Sequence, residues 1–415
     1  MSAQAKAGRL NVLAIMLAPP LPATAGHRLR NLGLLRALSA EGHRVTMLSF
    51  ATVEDLQSPS PGLAELCAAY ELFPEPAGSQ VWGRICTLFS RRPYGAVRFT
   101  SSTLRARASA LIESGRFDAI LLDDVYMAGN LPETHVPILL NKHDIIHRVV
   151  GQYARSRGNP FVRLYGRFEA TKTRRLEREM MRVSAGVLVC SGRDRDLLAE
   201  LYPATMHLVP NAIDVRSHRA SGPGTGDTVL FVGAMDWLPN ADGVAFFVKE
   251  ILPRLRHLAP KVRFVAAGRN PPPEMLRRHG QVPGVQFTGM LEDVRPVIAA
   301  AAVCVVPLRL GSGTRLKILE AAAMGKAVVS TRLGAEGLDL RHGHELLLAD
   351  DPQEFAEAVA ALLRNRKLAA RLGAAARTAV EKRYSIAALQ EHLRRALSGL
   401  AGHAKSAPAR AGGRR

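Results

Sequence analysis

The sequence predicts an α/β protein made of two successive doubly wound parallel sheets. Short apolar, β-branched runs alternate with longer stretches of helical periodicity in both halves of the chain. In the second half each run ends in a glycine or proline turn, so that several loops converge on one edge of the sheet, where open α/β sheets bind ligands. At 415 residues the chain exceeds one ordinary core. A Gly/Ser/Pro-rich stretch at 217–227 has the composition of a linker. Hydrophobic content of 47% and a mean hydropathy of +0.01 are those of a globular protein.

In the first half, residues 11–17 read as a strand and 18–28 as a loop. A helix follows, with apolar residues at Leu29, Leu32, Leu35 and Leu38, and then a second strand over 44–50. Strand, loop, helix and strand make one βαβ unit, which implies a right-handed crossover. Gly26 lies in the loop after the first strand and precedes that helix. Residues 56–90 are interrupted by Pro59, Pro61, Pro74 and Pro76, and 98–114 read as a helix. Residues 119–122 form a strand followed by Asp123 and Asp124, a pair that suits a metal or, more commonly, a solvated loop. The strand 137–140 leads into Asn141-Lys142-His143-Asp144, which puts His143 at a strand end. After the strand 183–190, Asp194-Arg195-Asp196 fits a metal-binding Asp-x-Asp pattern. It also falls in the first turn of a helix, where acids favour the dipole, and the helix explanation is preferred.

The second half carries strands near 228–233, 261–268, 285–289, 301–307 and 327–331, separated by helices over 242–258 and 294–302. A short apolar run spans 346–348, a helix spans 352–363, and helical periodicity continues from 368 to about 400. Within this half the segment 303–325 is the most informative. Val303, Val305 and Val306 end at Pro307, Gly311 and Gly313 follow with Thr314, and Leu316, Leu319 and Ala323 then recur at helical spacing. A strand, a glycine loop and a helix N-terminus leave backbone N–H groups that suit a phosphate, although glycines after a strand also serve as plain turns. Lys317 and Glu320 lie i, i+3 on the same helix face, as a ligand pair or as a solvated ion pair.

The formal net charge is +20. Between 148 and 182 ten Lys or Arg residues face three Glu, interleaved with Phe161, Leu164, Tyr165 and Phe168. This reads as a basic amphipathic helix suited to an anionic membrane surface, or as a solvated face in an Arg-rich protein. Nucleic acid is not expected as a partner, because aromatic residues are only 5% and no basic strand carries them. Cys67, Cys86, Cys190 and Cys304 are dispersed without metal-site spacing, which favours a reducing compartment. The run 12–22 is broken by prolines and too short to span a bilayer. The expected location is therefore cytoplasmic, with a peripheral place on the inner face of the plasma membrane if the basic helix meets lipid.

The stretch GSGTRLKILEAAAMGKAVVSTRLGAEGL at 311–338 resembles the donor-site signature of family 4 glycosyltransferases. GHRV at 42–45, NKHD at 141–144, VPNAID at 209–214 and LFVGAMDWLPNADG at 230–243 follow the family's order. The set is most similar to sugar transferases of exopolysaccharide synthesis. The resemblance implies a GT-B fold, with two Rossmann-like domains facing a central cleft. It places an acceptor-side domain at 1–215, a donor-binding domain at 216–370, helices crossing back at 371–400 and a disordered basic tail at 401–415.

It further implies transfer of a sugar, with retention, from a nucleotide-diphosphate donor to a glycan or lipid-linked acceptor in polysaccharide biosynthesis. No cofactor and no metal are expected. The donor would be held by Gly233, Arg269, Gly311, Ser312, Gly313, Thr314, Arg315, Lys317 and Glu320, with Glu320 taking the ribose hydroxyls. His143 would orient the transferred sugar, and Gly26 and His143 would form the acceptor side; His143 and Glu320 are the catalytic candidates. Two departures stand out. Ser312 occupies the place of the signature's first Glu, and the loop GAMDWLPNADG lacks the family's usual Arg and Lys. A GT-B nucleotide-sugar epimerase or a non-catalytic homologue is the alternative.

Overall fold

The computed structural model describes residues 8–23, 25–77, 80–155, 159–311 and 313–403. The chain folds as two units, one drawn from Met1–Pro210 and Leu389–Arg415 and the other from Asn211–Ala388. The division falls at 210/211 and the chain rejoins the first unit at Leu389, where the sequence suggests 215/216 and 371. The final helix, Ile386–His403, runs into the stretch expected to be a disordered tail. Residues 404–415 of that stretch lie outside the described residues.

In the first unit the strands are β1 (Asn11–Met16), β2 (Arg44–Ala51), β3 (Ala69–Pro74), β4 (Ala119–Asp123), β5 (Ile138–Asn141), β6 (Gly186–Val189) and β7 (Met206–Leu208). They lie in the order β3-β2-β1-β4-β5-β6-β7, and every pairing is parallel. The second unit contains β8 (Thr228–Val232), β9 (Arg263–Ala267), β10 (Val285–Phe287), β11 (Val303–Val306), β12 (Val328–Ser330) and β13 (Leu347–Leu348). Their order is β10-β9-β8-β11-β12-β13, again parallel throughout. The direction of winding reverses between β1 and β4 in one sheet and between β8 and β11 in the other. Helices then leave opposite faces and open a crevice at the strand ends. Apolar runs explain the central strands: β1, β4 and β11 are buried along nearly their whole length.

Four elements differ from the sequence reading. The strands β3 and β7 are absent from it; both lie at or near a sheet edge, half-buried, with little apolar alternation. The expected helix 242–258 starts earlier, at Leu238, and is interrupted by a wide π turn at Phe247–Ile251 before Leu252–Leu258. Pro253 has no N–H to donate back along the helix, so the turn ahead of it widens. The expected helix 98–114 runs from Ser102 to Glu113, capped by the Ser101 side chain accepting from the Leu104 amide, and a separate short helix, Tyr94–Arg98, precedes it.

A buried charge cluster fixes the loop after β5. Lys142, 2% exposed, donates from Nζ to Glu177 Oε1 at 2.8 Å and to Asp124 Oδ1 at 3.4 Å. Glu177, on the helix Pro160–Val183, also accepts from the Ile146 amide at 2.9 Å and pairs with His147. Burial alone would raise the Glu177 carboxyl; the Lys142 ammonium and His147 reverse this and bring it to about 2.

Replacing Glu177 by Gln leaves the Lys142 ammonium without its nearest counter-charge. Urea unfolding at pH 7 is expected to show a loss of about 3–5 kcal/mol. A carboxyl lowered from 4.5 to about 2 stabilises the fold above its unfolded value and loses that contribution as pH falls through the folded one. The deficit of the variant should therefore narrow between pH 4.5 and 2.

Candidate functional site

Each sheet carries a polar group of residues where its winding reverses. In the second unit β8 ends at Gly233, and β11 runs through Pro307 into the glycine loop and the helix Leu316–Ala323. Gly311 and Gly313 adopt φ of 105° and 77°, a region other residues rarely enter. Arg315 stands at the helix N-cap position, and no side chain caps the first turn.

Lys317, on that first turn, donates from Nζ to Asn240 Oδ1 at 2.6 Å, and its ammonium lies 4.3 Å from the Phe231 ring centroid. Asn240 is held in turn by donating to the Ala234 carbonyl at 2.8 Å. A Cβ on Gly233 would lie 2.9 Å from Lys317 Nζ and 2.7 Å from Asn240 Nδ2. Glycine at 233 is thus what lets the ammonium cross the end of β8.

Glu320 stays apart. Among the described residues it makes no ion pair with Lys317, and no hydrogen bond reaches its carboxyl, so the solvated-pair reading does not hold. Burial pushes Glu320 up to about 7, only partly offset by Lys317. Burial and the neighbouring Arg315 charge push Lys317 down to about 7. Arg269 follows β9, with its Nε buried and without a hydrogen-bond partner. Thr314 is turned to its own unit, its Oγ1 accepting from Asn211 Nδ2 at 2.5 Å. Of the expected donor-side residues, the structure brings Gly233, Arg315 and Lys317 together. Ser312 lies outside the described residues.

In the first unit His143 donates from Nε2 to Asp123 Oδ1 at 2.5 Å. Asp123 is 1% exposed, not a solvated loop acid. Its Oδ2 accepts from Asn31 Nδ2 at 2.8 Å and from the Leu17 amide at 3.1 Å, and Asn141 Nδ2 donates to Oδ1 at 3.2 Å. Arg30 completes the group, donating from Nε to Asn141 Oδ1 at 2.7 Å. Burial alone would raise the Asp123 carboxyl, but His143 and these donors hold it below the usual range. An ionised carboxylate can only accept, so Nε2 of His143 carries the proton, and in the neutral ring Nδ1 is the acceptor nitrogen.

His143 lines a shallow recess with Ile145, Val189 and Cys190. Gly26 opens the helix Gly26–Ala40, the element that also carries Arg30 and Asn31. Asp194 belongs to a helix cap, accepting from Ser191 Oγ at 2.8 Å while its amide donates back to the same oxygen. Sequence reasoning does not find Arg30, Asn31 or Asn240, and it leaves Asp123 as a loop acid. Only Asp123 carries a signal, an acid at the end of a central strand.

Two doubly wound parallel units with polar strand ends are the architecture of the GT-B glycosyltransferases. The structure of HepE from Anabaena in complex with UDP-glucose shares it, with a TM-score of 0.66 at 14% identity over 94% of this chain and 100% of that one. The chain carries two successive glycosyltransferase domains, of family 4 and of group 1. Residues 29–217 match the family described as Glycosyltransferase Family 4, and residues 226–365 match Glycosyl transferases group 1. Among curated proteins it is similar to the phosphatidyl-myo-inositol mannosyltransferase of Mycobacterium leprae, 32% identical over 42% of this chain and 48% of that protein. It is also similar to an uncharacterized 44.6 kDa protein in the cps region of Klebsiella pneumoniae, 27% identical over 31% of this chain and 35% of that one. The chain thus spans less than half the length of each of these relatives.

Replacing Glu320 by Gln should stabilise the protein selectively with pH. A carboxyl raised from 4.5 to about 7 makes the fold bind a proton more readily than the unfolded chain between those values, so its contribution falls as pH rises through that window. Relative to the parent, the variant should melt higher by the equivalent of about 2 kcal/mol at pH 8 and equally at pH 4, read by calorimetry.

Proposed function

We propose that the protein transfers a sugar from a nucleotide-diphosphate donor, with retained anomeric configuration, to a lipid-linked or glycan acceptor in polysaccharide assembly. The observation that carries this reading is the Lys317–Glu320 arrangement: a cation and an acid on the first turns of an uncapped helix, close together yet not joined to each other. A diphosphate suits the glycine-loop amides and helix start, with Lys317, Arg315 and Arg269 neutralising it. The Glu320 carboxylate accepts from both hydroxyls of a ribose. The phosphatidyl-myo-inositol in the name of the Mycobacterium relative and the UDP-glucose in complex with HepE support this choice of substrates.

In this reading the donor charges the pair. A diphosphate beside Lys317 favours the ammonium, and hydroxyl donors at Glu320 favour the carboxylate. Each starts near neutrality, so binding converts a poised pair into a fully ionised one. As the glycosidic bond breaks, negative charge grows on the leaving diphosphate, where fixed N–H groups and cations stabilise it without reorganising. His143, its Nε2–H held by Asp123, presents Nδ1 to the transferred sugar, and the departing phosphate takes the acceptor's proton.

Lys317→Met and Glu320→Ala should each reduce transfer, scored against a panel of nucleotide-sugars, by about 100-fold or more without lowering the melting temperature. Full activity in either would dismiss the donor assignment, and epimerised donor without transfer would favour the epimerase alternative. His143→Ala should lower kcat by about 100-fold with the donor KM little changed. Asp123→Asn should follow it in the same direction, since an amide no longer fixes which imidazole nitrogen bears the proton.

A further inference from the structure

The helix Pro160–Val183 carries ten Lys or Arg with those of the segment before it, and three Glu, in a mixture that by count alone resembles an ordinary solvated face. The structure sorts the mixture. Glu169 and Glu177 are buried: Glu169 pairs with Lys172 and accepts from the Tyr94 amide at 2.7 Å, and Glu177 is spent on Lys142 and His147. Glu179 remains at the surface and is bridged by Arg92 at 3.0 Å. Arg163, Arg167, Arg174, Arg175 and Arg178 are exposed, so the outward face is almost purely cationic.

Apolar side chains stand among these cations. Phe161 is 80% exposed and Leu164 67%; with Phe168 they recur at i, i+3 and i+7, a single stripe of the helix. A second element meets the same helix, since Lys172 Nζ donates to the Thr87 carbonyl at 2.8 Å. Two residues beyond Thr87 stands Phe89, 92% exposed, next to an exposed Leu88 and followed by Arg91 and Arg92. Large aromatic residues so fully open to water, on two packed elements and ringed by arginine, exceed the scattered apolar exposure normal for a surface.

We infer that this face of the first unit docks on the surface of an anionic lipid bilayer, with Phe161, Leu164 and Phe89 entering the interface and Arg163, Arg167, Arg174 and Arg175 lying over the headgroups. Charge complementarity selects the occupant: guanidinium groups surrounding bare apolar side chains match negative headgroups over acyl chains. No helix among the described residues is long and apolar enough to cross a membrane, so the contact is superficial. The helix that carries the face also supplies Glu177, which fixes Lys142, one residue from His143. A bilayer contact is thereby tied rigidly to the loop that bears His143. The inference does not depend on the transferase reading.

The test is co-sedimentation of the full chain with vesicles of phosphatidylcholine alone and of phosphatidylcholine mixed with phosphatidylglycerol, at low and at physiological salt. Binding is expected only to the mixed vesicles, weakening as salt rises. Arg163→Gln with Arg167→Gln should lower the partition coefficient about 25-fold, about fivefold for each basic residue near the surface. Phe89→Ser with Phe161→Ser should keep weak attraction at low salt and lose binding at physiological salt. All four side chains are exposed, so melting curves should match the parent. Absence of binding at low salt, equal binding to both vesicles, or unchanged partition in the aromatic variant would overturn the inference. So would self-association, seen by sedimentation velocity and removed by the same aromatic substitutions, or capture by RNA that the arginine pair alone controls.

Discussion

Burial of charge at strand ends is the constraint on which both polar groups depend. A lone ammonium or carboxylate taken from water shifts its protonation or finds a partner. Lys317 and Glu320 feel each other's charge without forming an ion pair: the ammonium reaches Asn240 across the end of β8, near Phe231. Both groups therefore stand near neutrality, down to about 7 and up to about 7. The glycine at 233 leaves room for this arrangement, because an added Cβ would crowd Asn240 Nδ2 and Lys317 Nζ and one of them would have to shift.

The first unit solves the same problem the opposite way. Asp123 is wholly enclosed but accepts from Asn31, Asn141, the Leu17 amide and His143, and so remains ionised. Lys142, next to His143 in sequence, faces away into Asp124 and Glu177. Of the consecutive residues in the NKHD stretch, Lys142 is thus a buried strut and His143 a partly exposed imidazole held by Asp123. The separation follows from the alternation of side chains at a strand end, which sends successive residues to opposite faces.

This difference explains what could be read from the residues. Central strands are continuous apolar runs, so β1, β4, β8 and β11 are visible in one dimension. The strand, glycine loop and helix around 303–323 are local, and so is the placing of Lys317 and Glu320 on one helix face. Asn240 lies 77 residues from Lys317, Asn31 lies 92 from Asp123, and Arg30 lies 111 from Asn141. Such partners are chosen by packing between elements, and nothing in their immediate neighbours marks them. Edge strands β3 and β7 escaped for a related reason: half-exposed residues carry little alternation, and only pairing to β2 and β6 makes them strands.

Net charge is the clearest case of a quantity that composition states and structure interprets. Ten basic residues against three glutamates read equally as a basic amphipathic helix or as a solvated face of mixed charge. Turning Glu169 and Glu177 inward removes two of those acids from the surface field and leaves the arginines without internal compensation. The same turn gives Glu177 to Lys142, which the fold needs in order to bury a lysine at all. Anchoring the β5 loop and exposing a cationic face are then two consequences of one helix rotation. Rotating the helix to present its acids would strand Lys142 in the core, so the orientation that exposes the arginines is the one that keeps Lys142 paired.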